Sequence, residues 1–194
     1  MLAVNQKRHV ILVTDGDLAA RRALETAAKN IGARCISMSA GNPTRLNGQQ
    51  LLELIKAAPH DPVIVMFDDK GVAGEGQGEK ALLEIYNCPD INVLGVLAVA
   101  SNSHCHEAAR VDVSVTAAGE VVQEAVTKEG KATRGKELQG DTVGIINRLA
   151  FPVVVGVGDV GKMLGADDYH MGAPVTTKAL QEIIKRSGFK WQQP

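Results

Sequence analysis

The chain is poor in aromatic side chains, which make up only 3% of its 194 residues, so its core must be built from aliphatic residues. It also lacks an excess of either charge, because the formal net charge is −1 at pH 7. A near-neutral chain of mixed charge has no electrostatic footprint for nucleic acid or for an anionic membrane surface. We therefore expect neither nucleic-acid binding nor direct insertion into a membrane.

Long apolar runs and paired cysteines are missing as well. The longest apolar stretch, residues 91–100, is interrupted twice and is far shorter than the ~20 residues of a membrane-spanning helix. Cys35, Cys88 and Cys105 contain no C-x-x-C pair, and an odd number of cysteines indicates reduced thiols rather than a disulfide framework. These features predict a soluble, cytoplasmic protein.

Apolar, β-branched segments alternate with segments of helical period through the first hundred residues. The predicted strands are HVILVTDGD, ARCISMS, DPVIVMFDD and INVLGVLAVAS, and the predicted helices between them are LAARRALETAAKNIG, NGQQLLELIKAA and GEKALLEIYN. Fully apolar strands between helices indicate a mainly parallel sheet that is covered on both faces. We predict a single three-layer α/β domain over residues 1–194, with a Rossmann-like or flavodoxin-like sheet, a core at about 9–188 and short flexible termini.

The pattern changes after residue 110. The stretch VDVSVTAAGEVVQEAVTKEGKATRGKEL has strand-like alternation and a KEGK turn, which predicts a small β-hairpin excursion. Strand and helix alternate again after it, and the last helix is expected from about Thr177 to Ser187, with a threonine capping its start and Gly188 ending it.

Carboxylates follow two of the predicted strands. Asp15 and Asp17 come after the first strand, and Asp68 and Asp69 end the third. These strands are neighbours in a flavodoxin-like order, and the loops at the carboxyl ends of parallel strands build the binding crevice. Because carboxylates and water are the ligands that Mg²⁺ and Ca²⁺ accept, the four acids are candidate metal ligands. The alternative is that Asp17 only caps a helix and that Asp68 or Asp69 only starts a turn.

A glycine-dense loop follows the second acid pair. In KGVAGEGQGEK, Gly74 and Gly76 can bring backbone N–H groups close to an anion at a helix N-terminus, and Lys70 can add positive charge. The alternative is a surface loop that binds no ligand.

A second glycine-rich stretch, GVGDVGKM at residues 156–163, resembles a P-loop except at its last position. Met163 has no hydroxyl to hold Mg²⁺, and Asp159 would place a negative charge among phosphates. We therefore expect no nucleotide. Asp159, Lys162, Asp167 and Asp168 should instead join the rim of the same crevice, with Lys162 facing a carboxylate such as Asp68 or facing solvent. Gly158 is a further candidate ligand-binding residue of this segment.

Four strings together resemble the soluble stage V sporulation protein AE family of spore-forming Firmicutes, and the resemblance runs from about residue 9 to 188. They are VILVTDGD, VMFDDKGVAGEGQGEKAL, GVGDVGKMLGADDY and GAPVTTKALQEIIKRSG. The resemblance implies a cytoplasmic protein of the forespore and spore. It also implies that the protein acts in germination with the membrane proteins that move calcium and dipicolinic acid, at the inner membrane and through those partners. It implies no catalytic residue, and it leaves the oligomeric state open.

A weaker similarity links VTDGDLAA and FDDKGVAGEGQGEKAL to a Toprim pattern. The chain departs from that pattern in two ways, because Asp15 stands where Toprim sites have Glu and the adjacent Asp68 and Asp69 replace a D-x-D pair. Two hypotheses follow. The favoured one is a non-enzymatic accessory protein that binds Mg²⁺, Ca²⁺ or an anionic ligand, and the alternative is a Mg²⁺-dependent Toprim-like or phosphoryl-transfer enzyme.

Overall fold

A seven-stranded, mostly parallel sheet forms the centre of the fold in the computed structural model, which describes residues 7–70, 76–102 and 107–190. The strands are β1 (Arg8–Val13), β2 (Arg34–Cys35), β3 (Val63–Met66), β4 (Ile91–Val99), β5 (Ala108–Arg110), β6 (Val113–Val115), β7 (Val121–Val122), β8 (Glu137–Gln139) and β9 (Val154–Val157). The helices are α1 (Leu18–Ile31), α2 (Gly48–Ala57), α3 (Gln77–Tyr86) and α4 (Pro174–Arg186). The predicted α/β class with a mainly parallel sheet is confirmed.

Helices cover both faces of this sheet. α1 contacts α4 on one face, and α2 contacts α3 on the other. Alternate residues of β1 supply the two cores, since Ile11 and Val13 pack toward the first pair of helices and Val10 and Leu12 toward the second. Because both faces are buried, the central strands are apolar throughout instead of alternating with polar residues. Among the described residues, none of the helices is both long and apolar enough to cross a membrane.

The strand order in the main sheet is β2-β3-β1-β4-β9-β6-β7. β1 therefore lies between β3 and β4, whereas a flavodoxin-like order would place it between β2 and β3. The expected contact of β1 with β3 is nevertheless present, and Val13 is level with both Met66 of β3 and Leu97 of β4. The residues that follow these strands consequently start from one edge of the sheet.

The excursion after residue 110 is more elaborate than the predicted hairpin. β6 and β7 form an antiparallel pair that extends the main sheet, since β6 also runs parallel to β9. β5 and β8 form a separate antiparallel sheet of two strands. The long connection between β7 and β8 contains the turn at residues 127–131, which folds back toward the carboxyl edge of the main sheet.

The helix ends follow local capping chemistry, with one correction. Asp17 caps α1 as predicted, because its carboxylate accepts the N–H of Ala20 at 2.9 Å. α4 starts at Pro174, earlier than expected, since proline suits the first helical position. Its N-cap residue is Ala173, so the prediction of a threonine cap is wrong, and the carboxylate of Asp167 accepts both the N–H and the hydroxyl of Thr176 in the first turn.

Candidate functional site

A crevice of about 350 Å³ lies at the carboxyl ends of β1, β3, β4 and β9. It is lined by side chains of both charge signs, together with Thr14, Asn42, Ser101 and Asn102. The charged groups are Asp15, Asp17, Asp68, Asp141, Asp159, Lys70, Lys128 and Lys162. β1 and β4 are adjacent in the sheet. The connection after β1 leads to β2 on one side of this pair, and the connection after β4 leads to the other side, where β9 lies. This reversal of direction is where open α/β sheets form their binding sites.

Asp15 lies at the base of the crevice, directly beyond β1. Its Oδ1 atom accepts the N–H of Asp17 at 3.2 Å. Burial, and then the negative charge of Asp17, raise the pKa of Asp15 to about 8. The charge of Asp68 acts in the same direction. Asp15 therefore holds a proton at neutral pH unless a bound cation compensates its charge.

Gly16 allows the tight approach of two loops at this point. A Cβ atom at Gly16 would lie 2.8 Å from the carbonyl oxygen of Gly41, so a larger residue would push the loops apart. The two loops are also joined by a hydrogen bond, in which the N–H of Gly41 donates to Gly16 O at 2.8 Å. The loop after β2 thus closes one side of the crevice and brings Asn42 to its wall.

The adjacent acids after β3 serve different purposes. Asp68 lines the crevice and accepts the N–H of Lys70 at 2.7 Å. Burial raises its pKa to about 6 in spite of this hydrogen bond. Asp69 is not among the crevice residues, because its carboxylate accepts the N–H groups of Gly78 at 2.6 Å and Glu79 at 3.0 Å. It caps α3, and its role as a metal ligand stays a prediction.

The predicted four-carboxylate cluster is therefore not assembled. Across residues 7–70, 76–102 and 107–190, no group of three or more histidine, cysteine, aspartate or glutamate side chains is arranged to hold a metal ion. Asp69 is occupied by α3, and Asp17 is occupied by Lys162. Asp15 and Asp68 remain on a shared wall of the crevice, where each side chain could offer a carboxylate oxygen to a cation. Binding of Mg²⁺ or Ca²⁺ stays a prediction.

The glycine loop after β3 contributes less than expected. Lys70 lines the crevice, and Gly74 lies outside the described residues. Gly76 precedes α3 and packs against the carboxylate of Asp69. The anion at the start of α3 is consequently an internal side chain, and binding of a ligand anion by Gly76 stays a prediction.

The P-loop-like segment holds Lys162 between two carboxylates. Its Nζ atom lies 2.7 Å from Asp17 Oδ2 and 2.9 Å from Asp159 Oδ1. Burial lowers the pKa of Lys162, but these two hydrogen bonds outweigh burial and raise it above its ordinary value. Burial raises the pKa of Asp17, but the hydrogen bond and charge of Lys162 and the backbone N–H groups of Ala20 and Ala19 together outweigh burial and lower it. Lys162 faces carboxylates as predicted, although they are Asp17 and Asp159 instead of Asp68.

The glycines of this segment serve close backbone approaches. Gly161 has a φ of 76°, and a Cβ atom there would lie 2.5 Å from Ala19 O of α1. Gly158 lies against the turn at residues 127–131 and does not line the crevice, and its role as a ligand-binding residue stays a prediction. Gly156 lies within β9 and packs against Ser114, so it forms no turn.

Two charged residues of the crevice were missed by the sequence analysis. Lys128 comes from the excursion, and its Nζ atom lies 3.4 Å from Asp159 Oδ2. The carbonyl oxygen of Lys128 accepts the N–H of Asp159 at 2.8 Å, which fixes the turn above β9. Asp141 follows β8 and lines the same crevice. The KEGK string indicated a turn, but nothing in it indicated which edge of the sheet the turn would reach.

A comparison with protein families matches residues 9–187 to the family described as stage V sporulation protein AE1. The match covers most of the chain and includes every charged residue that lines the crevice. Comparison with curated proteins gave no match, and comparison with solved structures gave none either. The chain therefore belongs to the stage V sporulation protein AE1 family and has a role in sporulation.

Proposed function

We propose that the protein is an accessory protein of sporulation and spore germination that acts with the membrane proteins that move calcium-dipicolinic acid. In this proposal it works in the cytoplasm of the forespore and spore and reaches the inner membrane through those protein partners. Its crevice binds a divalent cation or a small anionic ligand. Family membership supports the biological context, and the crevice supports the binding role.

The observation that carries the binding role is the charge arrangement in the crevice. Asp15 and Asp68 bring carboxyl groups with raised pKa values into an open cavity, which costs stability without a compensating cation. Lys70 and Lys128 line the same cavity and offer ammonium groups to an anion. Titratable groups with strongly shifted pKa values in a cleft are typical of functional sites.

Titration calorimetry tests the binding role directly. The ligands are calcium chloride, magnesium chloride, sodium dipicolinate and the calcium-dipicolinate chelate, each added to the wild-type protein. We expect binding to at least one ligand that weakens about tenfold or more in Asp15→Asn or Asp68→Asn if a cation is bound, and in Lys128→Met if an anion is bound.

The control variant is Asp90→Asn, which removes a carboxylate that pairs with Lys56 at 2.7 Å and does not line the crevice. It should bind as the wild type does. Absence of heat with all four ligands, or equal weakening in the control, would remove the binding role from the proposal.

The biological role is tested in spores that lack the protein. We expect these spores to accumulate or release calcium and dipicolinic acid abnormally. Reintroduction of the wild-type gene should restore normal accumulation and release. Uptake and release that match those of wild-type spores would contradict a role with this transport system. That result would leave the calorimetric result unaffected, so the two parts of the proposal can fail separately.

The alternative, a Mg²⁺-dependent Toprim-like or phosphoryl-transfer enzyme, has one supporting observation. Asp15, Asp17 and Asp68 all face the same cavity, and Mg²⁺ enzymes of this kind hold the metal through carboxylates. Magnesium-dependent cleavage of a phosphoester or of DNA that is lost in Asp15→Asn would favour the enzyme. The ion pair of Asp17 with Lys162 reduces the negative charge that these three carboxylates offer to a metal.

A further inference from the structure

Exposed apolar side chains are concentrated around α1. Of the five large apolar side chains that are exposed in the described part of the chain, four lie on this helix or in segments next to it. Leu164 is 88% exposed and Met171 is 74% exposed, and Leu18 and Met38 are also mainly exposed. The fifth, Val121, is only 36% exposed and lies on β7. Single exposed apolar residues are ordinary, but a cluster on one surface marks an interaction site.

The segment that carries Leu164 and Met171 runs alongside α1. Arg22 Nη1 lies 3.4 Å from the hydroxyl of Tyr169, and its guanidinium lies 5.3 Å from the centre of that ring. Further along the helix, Asn30 Nδ2 donates to Gly172 O at 2.8 Å. These contacts place the segment around Tyr169 and Gly172 alongside the helix, so its exposed side chains lie next to α1.

Met38 lies on the opposite flank of the same helix. It belongs to the short helical turn Ser37–Ser39 that follows β2, and β2 contacts α1. We call the area formed by the outer face of α1 with Met38, Leu164 and Met171 the α1 surface. It begins at the rim of the crevice, where Asp17 meets Lys162.

The helix α1 itself carries more basic than acidic side chains. The helix carries three basic side chains, Arg21, Arg22 and Lys29, against the single carboxylate of Glu25. All three basic residues are exposed. A surface that is both apolar and basic is complementary to one that is both apolar and acidic.

We propose that the α1 surface is the docking site for an acidic, apolar segment of a partner protein, such as an amphipathic helix with carboxylates along its edges. A second copy of this chain is a poorer occupant, because its own α1 surface would bring like charges together. A lipid surface is a poorer occupant as well, since lipid-binding patches use clusters of about 4 to 8 basic residues. The proposal does not depend on what the crevice binds.

Fluorescence anisotropy with the full-length protein provides the test. The probe is a labelled amphipathic peptide with leucines on one face and glutamates at the borders of that face. Its matched control is the same peptide with lysine in place of each glutamate. We expect the glutamate peptide to bind the wild-type protein and the lysine peptide to bind at least about tenfold more weakly.

Variants then map the binding to this surface. Leu164→Asn with Met171→Gln removes exposed apolar groups, and asparagine suits the φ of 56° at residue 164. We expect this double variant to bind the glutamate peptide about tenfold more weakly than wild type, and we expect the same of Arg22→Glu. The matched control combines Val121→Gln with Arg134→Glu, which removes an exposed apolar group and reverses a charge in the excursion. It should bind within about twofold of wild type.

Three results would overturn the proposal. The first is that the glutamate peptide does not bind, or binds the control and the α1-surface variants equally. The second is binding to vesicles of phosphatidylglycerol and phosphatidylcholine that the double variant abolishes, which would assign the surface to a membrane. The third is a concentration-dependent dimer that the double variant dissociates, which would assign it to a second copy. Circular dichroism of each variant establishes that the fold is retained.

Discussion

The two walls of the crevice place the same side-chain type in different surroundings. On one wall, Asp17 at the start of α1 and Asp159 after β9 share the ammonium group of Lys162, and the pKa of Asp17 lies below its ordinary value. On the wall formed by the ends of β1 and β3, Asp15 and Asp68 accept backbone N–H groups, and burial raises both pKa values. Lys162, together with Lys128 at 3.4 Å from Asp159, compensates the first wall, and the second wall is the one that our proposal assigns to a ligand.

Removal of Lys162 should have the largest effect, because it would make the two walls alike. Lys162→Met leaves the carboxylates of Asp17 and Asp159 without their shared cation. We expect a loss of about 2 kcal/mol in the free energy of unfolding, less than for a fully buried pair since 44% of the lysine side chain is exposed. Chemical denaturation at pH 7 measures this change.

The matched control for this variant is Lys56→Met. It removes a surface ion pair of the same 2.7 Å length, between Lys56 and Asp90, in which both side chains are well exposed. Its stability should stay close to wild type because solvent already screens that pair. Equal losses in the two variants would show that Lys162 is no more than a surface ion pair.

Replacement of Asp15 should have an intermediate effect that depends on pH. Between about 3.8, where an ordinary aspartate titrates, and about 8, the folded protein holds a proton on Asp15 that the unfolded chain has lost. Stability therefore falls as pH rises through this window. Asp15→Asn removes this dependence, and we expect the variant to gain stability relative to wild type as pH rises from 5 to 8.

Denaturation curves at a series of pH values for the two proteins measure this difference. Asp68 contributes a wild-type slope of the same sign between about 3.8 and about 6, and this slope is present in both proteins, so the comparison isolates Asp15. A constant stability difference between pH 5 and pH 8 would mean that Asp15 is ionised in the folded protein throughout. That result would contradict the raised pKa of Asp15 in the folded protein.

Much of the fold follows from local sequence patterns. Continuous apolar strands and amphipathic helices predict a covered parallel sheet, and β1 to β4 with α1 to α3 appear in the predicted places. Asp17 was identified as a cap because helix capping is a short-range interaction that depends on neighbouring residues. The strand order was not predictable from local patterns. The position of β4 beside β1, and the path of the excursion, depend on long-range packing.

The site was predicted in part, for the same physical reason. The rule that strand ends meet at one edge identified Asp15 and Asp68, because they lie equally far beyond strands in register. Lys128 and Asp141 reach the crevice from the excursion, and no local pattern reveals that path. The separation of Asp69 from Asp68 was predictable in principle, because successive side chains of an extended segment point in opposite directions.

The smallest effect concerns the two acids after β3 and tests whether their roles are separate. Asp69→Ala leaves the N–H groups of Gly78 and Glu79 at the start of α3 without their acceptor, and we expect it to lower the free energy of unfolding by about 1 kcal/mol. It should leave ligand binding unchanged, because Asp69 does not line the crevice. The measurements are chemical denaturation and the same calorimetric titration.

The comparison variant is Asp68→Ala, which should do the reverse. It removes a carboxyl group whose burial raises its pKa, so its loss should cost little stability at neutral pH, while any cation binding in the crevice should weaken. A loss of binding in Asp69→Ala that equals the loss in Asp68→Ala would mean that both acids serve the ligand. Asp69 would then have to release the N–H groups at the start of α3 when the ligand binds, as its predicted role as a metal ligand requires.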